Sequence, residues 1–266
     1  MIPIILRTIR DRWKMLLVIT IIGVGTMLMY VSMFPTYQHM MEQNTQMFDQ
    51  LPEAFKKAFN MEDFSFNTLE KFLNIEMYSL FWLVLTIILA LSLASGSLAG
   101  EVERETIVQT VGQPVSRRTV YIARFLAAAK IFTVFNILVN ASVFPFATMF
   151  HIPIQVMNFV TVGVMCELFG LAFLGLGFAV SAFMSDKGKT QMILAGVVLV
   201  MYVLNIVSGL RPSIEKLKYA SLFHYFNPNT FLVKGEYDLT AILVFVGLAV
   251  VGFGVGLWRF TKRDVA

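Results

Sequence analysis

The chain has 266 residues, of which 57% are hydrophobic and only 14% charged, whereas about 25% charged is usual for a soluble domain. That leaves too little polar surface for a soluble protein of this size and points to the membrane class. The net charge of +4 gives no basis for nucleic-acid binding. The placement of the positive charges matters more than their sum.

Residues 1–14 place Ile2, Ile5, Leu6, Ile9 and Trp13 at helical spacing, with Arg7, Arg10 and Lys14 largely opposite. This predicts an amphipathic interfacial helix; the alternative is the start of the first span. The apolar run that follows is too long for a signal h-region and has no small-residue cleavage site, so it reads as an uncleaved span.

A spanning helix needs about 20 mostly apolar residues. Windows without Asp, Glu, Lys or Arg cover 15–41, 77–100, 131–166, 168–185, 190–210 and 239–258. They predict six transmembrane helices near 15–34, 77–98, 120–148, 157–184, 190–210 and 239–258. The expected fold is an all-α polytopic membrane protein, one transmembrane domain over 1–266.

Between the first two spans, residues 36–76 form the longest polar loop, with seven acidic residues against Lys56, Lys57 and Lys71. Pro52 can start a short helix. Asn67 and Glu70 have capping-box spacing ahead of Leu69, Phe72 and Leu73. Two short outer-face helices are expected. A second outer segment, 211–238, reads as re-entrant or interfacial. In it Ser213 can cap a helix with Ile214, Leu217 and Ala220 inward, and Phe223 to Phe226 supply headgroup-level anchors.

In the third span, Lys130, Thr133, Asn136 and Asn140 fall within one arc of roughly 120°, and Pro145 bends or ends the helix. In the fourth, Glu167 sits about midway, on a helix whose Gly163, Gly170 and Gly177 share a face. Lys130, Asn136, Asn140 and Glu167 are therefore candidates for a translocation path or a bundle interior. Glu167 is either a gate or substrate contact, or a buried group hydrogen-bonded to Lys130, Asn136 or Asn140 that fixes helix register; the glycines favour packing. The last span carries Gly252, Gly254 and Gly256.

With both termini inside, 13 of the 21 basic residues fall on inner segments and 7 outside, with Lys130 left in a span. The positive-inside rule thus predicts cytoplasmic N- and C-termini. Catalytic signatures are absent: there is no Gly-x-Ser-x-Gly, no His-Glu-x-x-His and no phosphate-binding Gly-x-x-x-x-Gly-Lys-Ser/Thr loop. One cysteine, Cys166, allows no internal disulfide. His39, His151 and His224 are too scattered for a metal site. No catalytic residue, metal or bound cofactor is expected.

One stretch stands apart: residues 99–118, charged and turn-punctuated between two apolar runs. Its composition fits a solvated loop or a short transverse helix ending at Gly112-Gln-Pro114 equally well. The run Gly100-Glu-Val-Glu-Arg-Glu-Thr106, then Gln113-Pro-Val-Ser-Arg117 and Arg124-Phe, resembles the first cytoplasmic loop of bacterial ABC-2 type (type V exporter-like) transporter permeases. These commonly carry Gly-Glu-x-Glu-x-Gly-Thr, Pro-x-Ser-Arg and Lys-Phe there. Glu105 replaces the usual Gly and Arg124 the usual Lys.

The resemblance implies a permease subunit of an ATP-driven exporter, paired with a copy of itself or a related subunit. Two separate ATP-binding subunits would hold ATP and Mg. It makes 99–118 a coupling helix with docking contacts at Gly100, Glu101, Glu103, Arg104, Glu105, Thr106, Pro114, Ser116 and Arg117. An amphipathic substrate (peptide, drug or lipid-like) fits the apolar bundle. Readings from other classes are an ion-gradient-driven transporter or channel using Lys130 and Glu167, and a non-transporting scaffold or immunity protein.

Overall fold

A computed structural model describes residues 1–43, 67–103, 116–210 and 212–262. Among them there is no strand, and six helices are long and apolar enough to cross a membrane. The chain is a multi-pass, all-α membrane protein.

Helix α1 runs without a break over Ile2–Gln43. The amphipathic stretch 1–14 is thus its first turns, continuous with the first span, and Pro35 lies inside it. Helix α2, Leu69–Ser97, contains a π-helical stretch, Asn74–Phe81. Helix α3 is the short Ala99–Glu103. Helix α4, Arg117–Ala141, is followed after Ser142 by α5, Val143–Met149. Pro145 therefore sits in the first turn of a new helix, where its missing N–H costs nothing.

Helices α6, Val156–Phe183, and α7, Lys187–Leu210, follow. Next come a 3₁₀ segment, Pro212–Ala220, the single turn α8, Leu222–Tyr225, and a π-turn, Asn229–Val233. Helix α9, Leu239–Lys262, ends the described chain. The expected outer helix near Pro52 lies outside the described residues.

Helix α6 is the axis of the bundle. It packs against α9, α2 and α4, and 61% of its apolar window is buried against 11% for α7. Glycines allow its closest approach. A Cβ on Gly252 of α9 would stand 2.5 Å from the Gly175 carbonyl carbon, and one on Gly175 would stand 2.8 Å from Ala249 Cα. With no hydrophobic force between helices in lipid, such backbone proximity is what dispersion can exploit. Gly247 and Gly254 face open space, so of the four α9 glycines only Gly252 and Gly256 are packing residues. Gly170 accommodates the Phe132 ring and Gly177 the Ala94 methyl.

Several expectations shift in detail. The α2 start is capped by Thr68 Oγ1, which accepts from Lys71 N at 3.4 Å. Glu70 instead reaches across the bundle and accepts from Gln155 N at 2.8 Å. A carboxylate beside the α6 N-terminus meets unpaired N–H groups and a favourable dipole. Phe223 and Phe226 are core residues rather than headgroup anchors. Phe226 stacks on Trp82 with centroids 5.6 Å apart and lies 4.7 Å from Phe169. The sequence shows an aromatic cluster but not its direction. Tyr219, which is exposed, takes the outward position instead. Leu217 and Ala220 are also exposed, because the 3₁₀ segment turns that face away from the bundle.

Candidate functional site

Two groups of polar side chains interrupt the apolar bundle. The first lies where α2 ends. Leu98 leaves helical geometry at φ −121° and ψ −68°, and α3 begins one residue later. Three helices hold this short segment, and a fourth packs against the end of α2 just before it. Ala99 N donates to Ser181 Oγ of α6 at 3.1 Å. Arg124 of α4 forms an ion pair with Glu101. Glu103 Oε2 accepts from Lys187 N at the start of α7 at 2.8 Å. The Arg12 guanidinium of α1 lies directly against Gly96, leaving no room for a Cβ. That position faces the last carbonyls of α2, where a cation complements the helix dipole.

The electrostatics of this clamp are those of a buried pair. The Arg124 side chain is 7% exposed and that of Glu101 19%. Burial pushes the Glu101 carboxyl above the ordinary carboxylate range, although Arg124, Arg7 and Arg12 all pull it down. The helix ends nearby are tied by aromatic contacts. Tyr121 donates to the Phe253 carbonyl at 3.2 Å and packs on Phe260, while Arg259 sits over the Phe183 ring. The start of α1 and the end of α9 thus lie at one end of the bundle, the basic end.

Of the residues expected to dock a partner, Glu101 is turned inward to the clamp, while Glu103 is exposed and tied to the start of α7. Gly100 packs against the Lys187 side chain at 3.5 Å. Ser116 caps α4 by accepting from Thr119 N at 3.2 Å, and Arg117 opens that helix. Arg104, Glu105, Thr106 and Pro114 lie outside the described residues.

The second group is a ladder through the middle of the bundle. Tyr78 Oη donates to Asn140 Oδ1 at 2.6 Å. Asn140 Nδ2 donates to Asn136 Oδ1 at 2.7 Å. Asn136 Nδ2 donates to Glu167 Oε2 at 3.0 Å and to the Gly163 carbonyl at 3.0 Å. Thr133 Oγ1 completes it, donating to Glu167 Oε1 at 2.6 Å. The π-stretch of α2, a common feature of functional or strained helices, carries Tyr78 to this point. Glu167 also borders a shallow apolar crevice of about 320 Å³ between α4 and α6.

Asn136, Asn140 and Glu167 therefore come together as the spacing predicted, and Lys130 does not join them. Lys130 is exposed. At 100° per residue it sits about 60° beyond Thr133 on α4, at the rim of the packed face, where a long side chain reaches toward water. Sequence reasoning missed Tyr78, Ser181 and Arg12. Tyr78 looked like one more aromatic in a span. Ser181 and Arg12 act on chain segments remote in sequence, which no local spacing reveals.

The family model described as an ABC-2 family transporter protein matches residues 5–265. The chain belongs to the ABC-2 transporter family. It is a membrane-spanning permease component of an ABC transporter. Permeases of this family are membrane components rather than ATPases, and they work with ATP-binding subunits. A search of curated proteins found no match.

Proposed function

We propose that this permease exports an amphipathic substrate by alternating access, driven by ATP hydrolysis in two separate subunits that dock on residues 99–118. In this reading the basic end faces the cytoplasm, following the positive charge counted there. The permease works as a dimer with itself or a related subunit. It binds no cofactor of its own, ATP and Mg being held by the partners. Arg104, Glu105 and Thr106, with Pro114 and Arg117, supply the docking surface. Gly100, Glu101, Glu103 and Ser116 fix where that surface stands.

The observation that carries the reading is the clamp on Leu98–Glu103. A solvated connector needs no bonds to three helices. A lever needs them, because movement of the docking segment must reach α4, α6 and α7 together. Rigid packed helices with discrete arrangements can pass such motion on. Glu167 and its ladder lie within the body that would move, and hold α4 and α6 in register.

The test is charge reversal at Arg104→Glu with Glu105→Lys, in the permease co-expressed with its ATP-binding subunit. Co-purification and substrate-stimulated ATPase activity should fall at least about tenfold, while the permease melts as the parent does. An unchanged complex with unchanged coupling would overturn the docking assignment.

A further inference from the structure

Behind the clamp, between α1 and the α2–α3 junction, is a polar cavity of about 520 Å³. Its charged lining is Arg7, Asp11, Arg12, Glu101 and Arg124. Three guanidinium groups thus face two carboxylates. One carboxylate is already engaged with Arg124. The other, Asp11, stands 3.9 Å from Arg7 with both side chains well exposed, a distance and exposure that make for a weak pair. The lining keeps an excess of positive charge.

Arg124 adds a second, independent observation. It is 94% buried, as its 6% exposure shows, and its Nε makes no hydrogen bond. A buried N–H on a charged group is costly to leave without an acceptor. An anion in the cavity, which this guanidinium lines, would offset its buried charge. Guanidiniums converging from α1 and α4 suit a group with several oxygens, since each presents a planar fork of donors.

The place of the cavity suggests the source. Ile2, Leu6 and Trp13 on the same helix are exposed, as an apolar face at a bilayer surface requires. A basic pocket among helices at that depth sits at the level of lipid phosphates. We propose that this cavity binds a phosphate-bearing anion, the head group of an anionic phospholipid, through Arg7, Arg12 and Arg124. Its occupant would sit directly behind α3 and stiffen the clamp. The site does not depend on the docking reading. Failure of one leaves the other standing.

The experiment follows thermal unfolding of the purified full-length chain in detergent. Phosphatidylglycerol, phosphatidylcholine or inorganic phosphate is titrated in. Phosphatidylglycerol should raise the melting temperature above phosphatidylcholine. In Arg7→Gln/Arg12→Gln the half-saturating concentration should rise by at least about fivefold per arginine removed. Arg10→Gln, exposed and outside the cavity, should behave as the parent. Protection by phosphatidylglycerol alone supports the lipid head group. Equal protection by millimolar inorganic phosphate keeps the site but overturns the lipid as its occupant. A double variant that keeps the parental lipid dependence, or an Arg10 variant that loses it equally, overturns the site. Melting in phosphatidylcholine alone checks folding. If the double variant does not fold, Arg7→Gln, an exposed position, carries the same comparison.

Discussion

The clamp at the basic end and the ladder in mid-bundle are both polar islands in an apolar protein, yet they are built on opposite principles. The ladder has one carboxylate, and neutral donors from Thr133 and Asn136 occupy both of its oxygens. Its amides and hydroxyl pass hydrogen bonds in sequence from α2 through α4 to α6. The clamp is made of full charges, two carboxylates among three arginines around a cavity, with a buried Nε left over. An ionisable group at membrane depth is a functional candidate by default. The comparison shows when that default gives way. Where neutral partners already satisfy the carboxylate, it locks helices. Where charge is left in excess beside a cavity, something else is expected to bind or move.

The largest effect should come from breaking the clamp. Arg124→Gln leaves Glu101 buried without its cation, a change that costs about 3–5 kcal/mol in comparable pairs. The expected result is a large drop in melting temperature and loss of the complex with the ATP-binding subunit. The swap Arg124→Glu with Glu101→Arg should recover part of both. A swap no better than the single variants would show that the pair is not the joint.

A middle effect is expected from the ladder. Asn136→Leu removes the bonds to Glu167, Gly163 and Asn140 at once. Interhelical hydrogen bonds in membranes contribute on the order of 0.6 kcal/mol each, so a loss of about 1–2 kcal/mol should appear in unfolding, with the ATP-binding subunit still bound. Loss of that complex without loss of stability would make the ladder part of the coupling route.

The smallest effect belongs to Glu167→Gln, which keeps shape and one acceptor oxygen. Stability should fall by about 0.5–1 kcal/mol with transport unchanged. Abolished transport in a variant of parental stability would return Glu167 to the substrate or ion path.

Much of this architecture was legible in the primary structure. The six spans follow from windows free of charge, because an ionised side chain is too costly in hydrocarbon to be scattered there. The meeting of Asn136, Asn140 and Glu167 was visible in helical periodicity and a short connection at His151 to Pro153, which makes α6 the antiparallel neighbour of α4–α5. The stretch 99–118 stood out as the charged interruption on the side predicted to be inner. Partner choice was not legible. Glu70 had the spacing to cap its own helix and caps α6 instead. Lys130 shares the arc in projection but falls at its edge, and Phe226 turns into the core.

The sequence by itself determined which segments cross the membrane, which segments carry the positive charge and which stretch interrupts the apolar runs with charge. These depend on local composition and on one-dimensional period. Only the tertiary structure decided that Glu101 and Glu103 tie α3 to α4 and α7, that Arg12 closes on the end of α2, and that a cavity with excess positive charge remains there. Those are contacts between residues up to 84 positions apart, as in Arg12 with Gly96 and Glu103 with Lys187.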